Sequence, residues 1–530
     1  MTTSFLRVLG ATSTGVVAVG AVAAAVLLSG PWAEAVTGAG GTLTEDVRTV
    51  DVEPGPVQLV CAPPARLPEG ADVGDSQFTA APVATATSLA AGVLGEGVRD
   101  VGWGVLGGPL GAVEPGRDAA VHAGDPGPSG SVLQAQPVAR SPFRVAGATA
   151  SVTTAGDLRG LAAAPCVEPS ISQWIVGGGT EVGTTAVLTL QNPGAHSAVV
   201  ALRVFGPTGP VALGSQGQLV LGPGQSTQVR LEAVAPEQRR IAVHVTSTGS
   251  RVAATLQVQR LDGLVPQGVD LLAPGAAPAT SVALSGLMSN GEPVDDPNAP
   301  VLRLLAPGDT AGTARVSIYG VDGIARLRGA ESVDLQPGVV TDLPLGGLPA
   351  GGYGIVVDAD VPVVAAAGFT RVGPVPEDAI VRGNPVDLAW VAGQPLPEPG
   401  ATAQAALPAG AQGVVALTAV PEVRGEAAPE GDVTALVRVY GADGAVLGEK
   451  EVQAEAGRLT RLAVGGIAPQ GTPALVSVEA DDGSRIAWGV ELTAEDGSDE
   501  SARLVSALAP TRSVSAPGAV RVRQLDATGG

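Results

Sequence analysis

The sequence predicts an all-β protein in which an apolar N-terminal segment precedes a series of similar domains built from short strands. One observation is the abundance of turn-forming residues, with 75 glycines and 44 prolines among 530 residues, about twice their usual share. A second is that apolar residues between these turns alternate with period two, as in strands that bury one face. The third is an internal repeat, in which an aromatic residue and a glycine are followed by another glycine three positions later.

This repeat occurs three times, at residues 205–209, 319–323 and 440–444. The first glycines of the copies, Gly206, Gly320 and Gly441, lie 114 and 121 residues apart. At a near-constant distance each copy is followed by one more glycine: Gly224, Gly338 and Gly457. The chain therefore contains three copies of one domain, and we expect the paired glycines to form tight turns.

The strand before each motif indicates a two-layer architecture. In the first copy Val200, Leu202 and Val204 alternate with Ala201 and Arg203, so one face of the strand is expected to lie on a core. Six or more short strands in about 100 residues, without helical periodicity, favour tandem immunoglobulin-like β-sandwich domains. We assign these domains to residues 171–285, 299–400 and 411–510, and treat residues 511–530 as a flexible tail.

Residues 42–170 form a further β-rich domain that does not align clearly with the three repeats. The two cysteines of the chain, Cys61 and Cys166, both lie in this domain. In an oxidising compartment a lone pair of cysteines is expected to form a disulfide. By the chain-entropy model, closing a loop of about 105 residues contributes roughly 4.7 kcal/mol. The alternative is two unrelated buried thiols.

The N-terminal segment determines the compartment. Residues 8–28 carry no charge, and a helix of this length at ~1.5 Å per residue would cross the hydrocarbon core of a bilayer. Arg7 before this segment places residues 1–7 in the cytoplasm and residues 8–30 in the membrane as a transmembrane helix. A linker, 31–41, then leads to an extracellular body. Cleavage as a signal peptide near Ala33-Glu34-Ala35 is the alternative, and in both cases the body is exported.

The charge of the chain limits its partners. With 51 acidic and 30 basic residues the net charge is −21, and no basic patch with interleaved aromatic residues is present. This balance argues against a nucleic-acid-binding function. The partners that we expect are the membrane, through the N-terminal helix, and cell-wall glycan or other envelope proteins.

Residues of the types that carry catalysis are scattered. The three histidines, His122, His196 and His244, have no partners at metal-ligand spacing. Neither the nucleophile elbow G-x-S-x-G nor the motif S-x-x-K of serine hydrolases is present. We therefore predict no catalytic, cofactor-binding or metal-binding residues and no cofactor, with Cys61 and Cys166 as the residues of chemical interest.

Three other features have a functional interpretation and a simpler structural one. The run Gly-Gly-Gly-Thr at 177–180 lacks the lysine of a phosphate-binding loop and is better explained as a turn. Acidic loops at 358–360 and 481–482 could bind calcium or supply paired carboxylates to a glycosidase, but aspartate also favours hairpin loops for local reasons. An exposed tryptophan could stack on a sugar ring, although we expect most to be core residues; the candidates are Trp103, Trp174, Trp390 and Trp488.

Two of these stretches also carry a family resemblance. The segment 174–180, the segment 188–193 behind it, and the positions of Cys61 and Cys166 resemble the actinobacterial exported proteins of domain-of-unknown-function family 5719. The resemblance covers most of the predicted extracellular body. It implies an N-terminal membrane segment and an uncharacterised role, and it assigns no functional residue.

Together these observations predict a non-enzymatic, membrane-anchored structural or interaction protein of the cell envelope, whose domains stand in series like beads. One alternative is a carbohydrate-binding accessory protein for the assembly of envelope polysaccharide, using loops at the ends of the sandwiches. A secreted enzyme is the second and less supported alternative.

Overall fold

The computed structural model describes residues 45–67, 83–95, 97–422, 424, 432–496, 499–512, 514–515 and 519–525. The predicted cytoplasmic residues 1–7, membrane helix 8–30 and linker 31–41 lie outside the described residues. Within the described ranges, no helix is both long and apolar enough to cross a bilayer. The chain divides into two compact units, Met1–Glu53 with Pro517–Gly530, and Pro54–Ala516.

The first unit contains an antiparallel ribbon of two strands, β1 (Glu45–Asp51) and the last strand of the chain, β38 (Ala519–Leu525). In the ribbon Glu45 lies opposite Leu525, and Asp51 lies opposite Ala519. The prediction of a flexible tail is therefore wrong for residues 519–525. Their sequence alternates with period two, as in a strand, and its backbone groups pair with those of β1.

The described part of the second unit forms four two-sheet sandwiches, which we call modules 1 to 4. Module 1 contains β2 (Val57–Cys61), β3 (Thr85–Leu94), β4 (Val98–Val105), β5 (Gly111–Ala112), β6 (Ala119–Gly124), β7 (Ser131–Pro137), β8 (Pro142–Thr153) and β9 (Gly160–Pro165). Module 2 contains β10 (Ser172–Val176), β11 (Thr184–Gln191), β12 (Ala198–Gly206), β13 (Gly209–Val211), a 3-10 helix (Gly214–Gly217), β14 (Gln218–Leu221), β15 (Ser226–Arg230), the short helix α1 (Leu231–Val234), β16 (Ala242–Thr248), β17 (Ala253–Asp262) and β18 (Val265–Leu272).

Modules 2 to 4 contain the three repeats found in the sequence. Module 3 is built from β19 (Ala279–Ser289), β20 (Val301–Leu305), β21 (Gly312–Gly320), β22 (Gly323–Ala325), β23 (Ser332–Leu335), β24 (Thr341–Pro344), β25 (Gly351–Val372), β26 (Val386–Ala392) and β27 (Gln394–Pro395). Module 4 is built from β28 (Thr402–Ala406), β29 (Gln412–Ala419), β30 (Asp432–Gly441), β31 (Val446–Glu455), β32 (Leu459–Ala463), α2 (Val464–Ile467), β33 (Pro473–Ala480), β34 (Ile486–Asp496) and β35 (Asp499–Leu508). Two short strands follow, β36 (Thr511–Arg512) and β37 (Val514–Ser515).

All four modules share one strand order. In module 2 the first sheet has the order β10-β16-β12-β13 and the second sheet has the order β15-β11-β17-β18. The corresponding sheets are β2-β7-β4-β5 and β6-β3-β8-β9 in module 1, and β28-β33-β30-β31 and β32-β29-β34-β35 in module 4. In module 3 the long strand β25 serves both sheets, because its first half pairs with β19 and β21 and its second half pairs with β20 and β26. The all-β prediction is confirmed.

Module 1 is a fourth copy of the repeat that the sequence analysis did not recognise. Its strand β4 occupies the place of β12 and ends in the same motif, Trp103 and Gly104 followed by Gly107. The copy is hard to see because Gly102 and Gly108 flank the motif, so the diagnostic glycines do not stand out. The aromatic-glycine pattern was nevertheless the signal that could have found it.

Each sandwich encloses an apolar core between its sheets. In module 2, Val200, Val204 and Val243 of the first sheet pack with Leu188 and Leu256 of the second, and each is at most 1% exposed. Alternation along β12 had predicted this buried face, because every second side chain of a strand points the same way.

The four modules close into a ring. The first sheet of module 2 packs on the second sheet of module 3, and the same pair of faces joins module 1 to module 2 and module 3 to module 4. The first sheet of module 4 packs on the second sheet of module 1, where Gln404 Nε2 donates to the carbonyl of Val145 at 2.9 Å. The expectation that the domains stand in series like beads is wrong. Modules 1 and 4 carry the same complementary faces as chain neighbours do, so they bind each other.

Some of the recurrent glycines lie at these module boundaries. A Cβ on Gly107 of module 1 would come within 2.6 Å of the carbonyl oxygen of Gly224 in module 2. A Cβ on Gly444 of module 4 would come within 2.0 Å of the carbonyl oxygen of Ala119 in module 1. The φ angle of +75° at Gly444 agrees with the predicted turn, and Gly107, in the copy that was not recognised, has a similar φ of +77°. Close approach between modules is a second reason for glycine at both positions.

Four strands, one from each module, surround the axis of the ring. They are the last strands of the second sheets, and each contacts the next one around the axis. We call them the axial strands: β9, β18, β26 and β35. Between β9 and β18 the contact is apolar, with Ala162 and Ala164 packed on Val269 and Leu271. The axis is therefore a shared core and not a channel between separate domains.

The module limits differ from the predicted domains at two strands. β19 begins within the range 171–285 and extends beyond it, and it pairs with β25 in module 3. β28 precedes the predicted domain 411–510 but pairs with β33 in module 4. Both strands are rich in Ala, Ser or Gly, which have low strand propensity, so their composition is closer to that of a linker.

Residues 511–512 and 514–515 also pair, although the sequence analysis placed them in a flexible tail. β36 joins β28 of module 4, and β37 joins β8 of module 1. The prediction is wrong here because the edges of β28 and β8 offer unpaired backbone groups to any strand that passes them. The pairing adds a second connection between modules 4 and 1.

Cys61 and Cys166 form the predicted disulfide, with Cα atoms 4.1 Å apart. Both residues belong to the core of module 1. Beside them Val60 and Val167 exchange two backbone hydrogen bonds of 2.8 Å. The disulfide thus joins the first strand of module 1 to the residue that follows its last strand.

Candidate functional site

A cleft of about 170 Å³ lies between modules 2 and 3. Its charged lining residues are Arg239, Arg260 and Glu181 from module 2 and Arg303 from module 3, and we call it the arginine cleft. Pockets for drug-sized ligands usually measure roughly 300–1,000 Å³. The arginine cleft is therefore suited to one small group of a ligand.

The glycine run that the sequence analysis assigned to a turn forms part of one wall. A Cβ on Gly177 would lie 2.4 Å from Leu272 and 2.9 Å from the indole of Trp390. Gly178 has a φ of +71° and its carbonyl accepts a hydrogen bond from Arg303. The run allows the two modules to approach closely, which explains the glycines without a phosphate-binding role.

Arg303 is held rigidly in the opposite wall. Its guanidinium donates to both carboxylate oxygens of Asp342, at 2.8 and 3.0 Å, and lies 4.8 Å from the centre of the Trp390 ring. The residue is only 4% exposed. Because its charge is paired and its donors are occupied, Arg303 shapes the cleft and adds little free positive charge.

Arg239 and Arg260 have no such partners. Both are exposed, and neither forms an ion pair with any residue that the structure describes. Arg260, in β17, lies directly opposite Thr184 of β11. Glu181 is likewise exposed and forms no ion pair in the described ranges. The cleft thus offers two unpaired cations against one carboxylate, in a chain whose net charge is −21.

The tryptophans considered for sugar stacking are largely covered. Trp174 and Trp488 are each 7% exposed, and Trp174 stacks on His244 with ring centres 3.9 Å apart. Trp103 is half-buried and stacks on His122 at 4.7 Å. Trp390, which lines the cleft, lies beneath the guanidinium of Arg303. The cleft therefore presents arginine side chains rather than an exposed indole.

Two buried aspartates connect the axial strands. Asp387 of β26 accepts hydrogen bonds from backbone N–H groups of β9 and β35, at 3.0 and 2.8 Å. Asp270 of β18 accepts one from the backbone of β26 and one from Ser506 Oγ of β35, both at 2.8 Å. Each aspartate is 1% exposed. The two carboxyl groups link all four modules at the axis.

Burial raises the pKa of Asp387 to about 7, although its backbone donors and Arg159 act in the opposite direction. Burial also raises the pKa of Asp270 well above its usual value, and the nearby charge of Asp387 raises it further. Because substrate cannot reach side chains that are this deeply buried, we interpret the two acids as structural groups rather than a general acid–base pair.

His244 and Ser172 form a hydrogen bond of 2.9 Å between Nε2 and Oγ. Two members of a serine-hydrolase triad would show such a contact. However, Nδ1 of His244 is buried and has no hydrogen-bond partner among the described residues, so no carboxylate orients the ring. Burial, and then the charge of Arg203, lowers the pKa of His244, which opposes the imidazolium that acyl transfer requires. The structure does not bring His122 or the exposed His196 to this pair.

The acidic residues considered for calcium do not form a cluster. Asp358 lies within β25 and not in a loop, and it pairs with Arg424 at 3.2 Å. Asp360 accepts a hydrogen bond from the backbone of Thr313 at 2.8 Å. Among the residues with described positions, no group of three or more His, Cys, Asp or Glu could hold a metal ion.

Sequence reasoning did not find the arginine cleft, because its arginines come together only when modules 2 and 3 pack. It also missed the axial acids, for which a signal existed. Asp270 and Asp387 each interrupt an apolar strand, and a charge at such a position calls for buried partners.

The model of a family of unknown function, DUF5719, matches residues 121–518, a range that includes both walls of the arginine cleft. No curated protein matches the chain. The crystal structure of Thermotoga maritima 1070 is 17% identical with a TM-score of 0.17, over 22% of this chain and 95% of that chain. The BSP domain of a biofilm associated protein is 8% identical with a TM-score of 0.10, over 93% of this chain and 100% of that chain. Likenesses with such TM-scores carry no argument about fold or function.

Proposed function

The chain belongs to the family of unknown function DUF5719, and we propose that it is a non-enzymatic scaffold of the cell envelope, anchored in the membrane by residues 8–30. The observation that carries this proposal is the closed ring of modules 1 to 4. A ring with a shared core is rigid and presents its loops in fixed positions, as a scaffold for partners requires.

We infer that each module is a variant of the immunoglobulin-like sandwich. In module 2, β11 pairs with β15 and β12 pairs with β16, as strands B and E, and C and F, do in immunoglobulin domains. The module differs from an immunoglobulin domain in which strands pair beside these two pairs. β17 takes the place of the first immunoglobulin strand and β10 takes the place of the last.

An extracellular position is supported by the disulfide between Cys61 and Cys166, since disulfides persist in oxidising compartments. The apolar segment 8–28 supports a membrane anchor or an export signal.

Cell fractionation with and without detergent tests the anchor. We expect the chain in the membrane fraction, released only by detergent, with an intact mass that includes residues 1–35. Release without detergent, together with a mass that begins near Ala35, would show cleavage and export instead of anchoring. A cytoplasmic location would contradict the whole proposal.

A second candidate function is carbohydrate binding in support of envelope polysaccharide assembly. The arginine cleft favours it over the enzyme alternative, since the Ser172–His244 pair lacks a carboxylate. Retention of the full chain on purified cell-wall polysaccharide would support carbohydrate binding. A chain that passes through the polysaccharide column but is cross-linked to an envelope protein in intact cells would favour the scaffold alone.

A further inference from the structure

We propose that the arginine cleft is a binding site for one carboxylate or phosphate group of an acidic envelope polymer, with Arg239 and Arg260 as the binding residues. The proposal rests on the second candidate function and specifies the class of ligand. The anion site itself is independent of that function and is tested separately below.

Two arginines give the cleft a positive charge. Arg239 and Arg260 are exposed and form no ion pair in the described structure, although acidic residues outnumber basic ones by 51 to 30 in the chain. With so many carboxylates available, two unpartnered guanidinium groups at one cleft form a local positive field in an acidic surface. Such a field attracts an anion, and the planar guanidinium fork matches carboxylate and phosphate oxygens.

The walls of the cleft are preorganised for binding. Arg303 is fixed by Asp342 and by the Trp390 ring, and the glycine run holds the facing wall against module 3. Walls that do not rearrange lower the entropic cost of binding. Thr184 lies directly opposite Arg260 across the ladder, so its side chain stands on the same face of the sheet. Its hydroxyl can add a hydrogen bond to an oxyanion held there.

The size of the cleft limits what it can hold. The volume of about 170 Å³ admits a single charged group and not a long segment of polymer. Glu181 in the lining repels a second negative charge. We therefore expect the site to take one anionic group at a time, from a polymer whose remaining residues pass outside the cleft.

The test is calorimetric titration of the full chain in detergent with sodium glucuronate, inorganic phosphate and glucose. We expect saturable binding of glucuronate or phosphate, weaker at higher salt, and no binding of glucose. Arg239→Gln and Arg260→Gln should each weaken binding at least 10-fold. Glu181→Gln should strengthen it, because the repelling carboxylate is gone. The matched control is Arg251→Gln, an exposed arginine two residues before β17 begins, at the end of the strand opposite Arg260, which should leave binding unchanged.

The outcomes separate the site from the function. Failure of both anions to bind, or equal loss of binding in Arg251→Gln and Arg260→Gln, would overturn the anion site. Binding of glucuronate with retention on acidic polysaccharide, lost in Arg260→Gln, would support the full proposal. Binding of phosphate or glucuronate without any retention on polysaccharide would keep the anion site and overturn both the polymer and the second candidate function.

Discussion

The boundary between modules 4 and 1 and the boundary between modules 2 and 3 use the same pair of sheet faces but are filled differently. At the first, alanines of β3 and β8 join the core of module 4 in one apolar cluster, and a Cβ on Gly92 would lie 2.9 Å from a methyl group of Leu475. At the second, Trp390 and Arg303 hold the sheets around a cleft of about 170 Å³. Small side chains let sheets pack closely, whereas large polar ones leave space. One boundary closes the ring, and the other leaves a cleft that we propose as a ligand site.

The largest expected effect tests whether the axis holds both boundaries together. Asp387→Ala removes the acceptor of three backbone N–H groups, those of Leu161, Leu388 and Val505. Each buried donor left without a partner costs about 1–3 kcal/mol, so we expect a loss of roughly 5 kcal/mol in denaturant unfolding. The control is Asp309→Ala, at an exposed position, which should change little. Equal stability of the two variants would show that the axis is not what unites the modules.

The next largest effect on stability should be confined to the boundary between modules 4 and 1, which closes the ring. Replacing Cys61 and Cys166 by serine removes the cross-link of module 1 and should lower the free energy of unfolding by about 2–5 kcal/mol. We expect hydrogen exchange to increase first in modules 1 and 4, while the glycine run at the arginine cleft stays protected. If hydrogen exchange increased at the boundary of modules 2 and 3 before it increased at the boundary of modules 4 and 1, the proposed difference between the two boundaries would be contradicted.

A change of pH should have a smaller effect on the free energy of unfolding. The folded-state pKa of Asp387 is raised to about 7, so between the usual carboxyl pKa and about 7 the folded chain holds a proton that the unfolded chain has lost. Stability is therefore highest at the acid side of this window and falls as the pH rises through it, with Asp270 acting in the same direction. From pH 5 to pH 8 we expect a loss of about 3 kcal/mol, seen as a lower melting temperature. Asp387→Asn should show a flatter dependence, and an identical slope would remove Asp387 as the cause.

The smallest effect on stability is expected at the arginine cleft. Arg239→Gln and Arg260→Gln change exposed, unpaired side chains, and such substitutions usually alter stability by less than about 0.5 kcal/mol. Thermal melts of these variants should overlay that of the unaltered chain while anion binding is lost. A large drop in melting temperature would mean that the arginines hold the boundary together, as the closing boundary is held by its alanines.

Local patterns predicted the strands well, because a half-buried strand shows its two faces in the sequence. The buried face of β12 and the disulfide of module 1 were both inferred from residue type and spacing. Module 1 itself was not recognised as a repeat, since the glycines around Trp103 hide its motif. Closure of the ring was also missed. It depends on contacts such as that of Gln404 with Val145, 259 residues apart, which no local pattern reports.

The arginine cleft could not be predicted from the sequence for the same reason. Arg239, Arg260 and Arg303 come from separate strands or loops of two modules, and none of them is unusual in its own segment. The axial aspartates were the exception, because an acid inside an apolar strand is visible in the sequence. The partners of each acid, on two other modules, are not.

Each module bears one sheet face and its complement, and in the ring every face is matched. A fragment of one or two modules would keep a matching pair of faces open at its two ends. Such head-to-tail contacts generate open filaments when they cannot close. Truncated forms of this chain should therefore polymerise, and the number of copies in the chain sets the difference between a finite particle and a fibre.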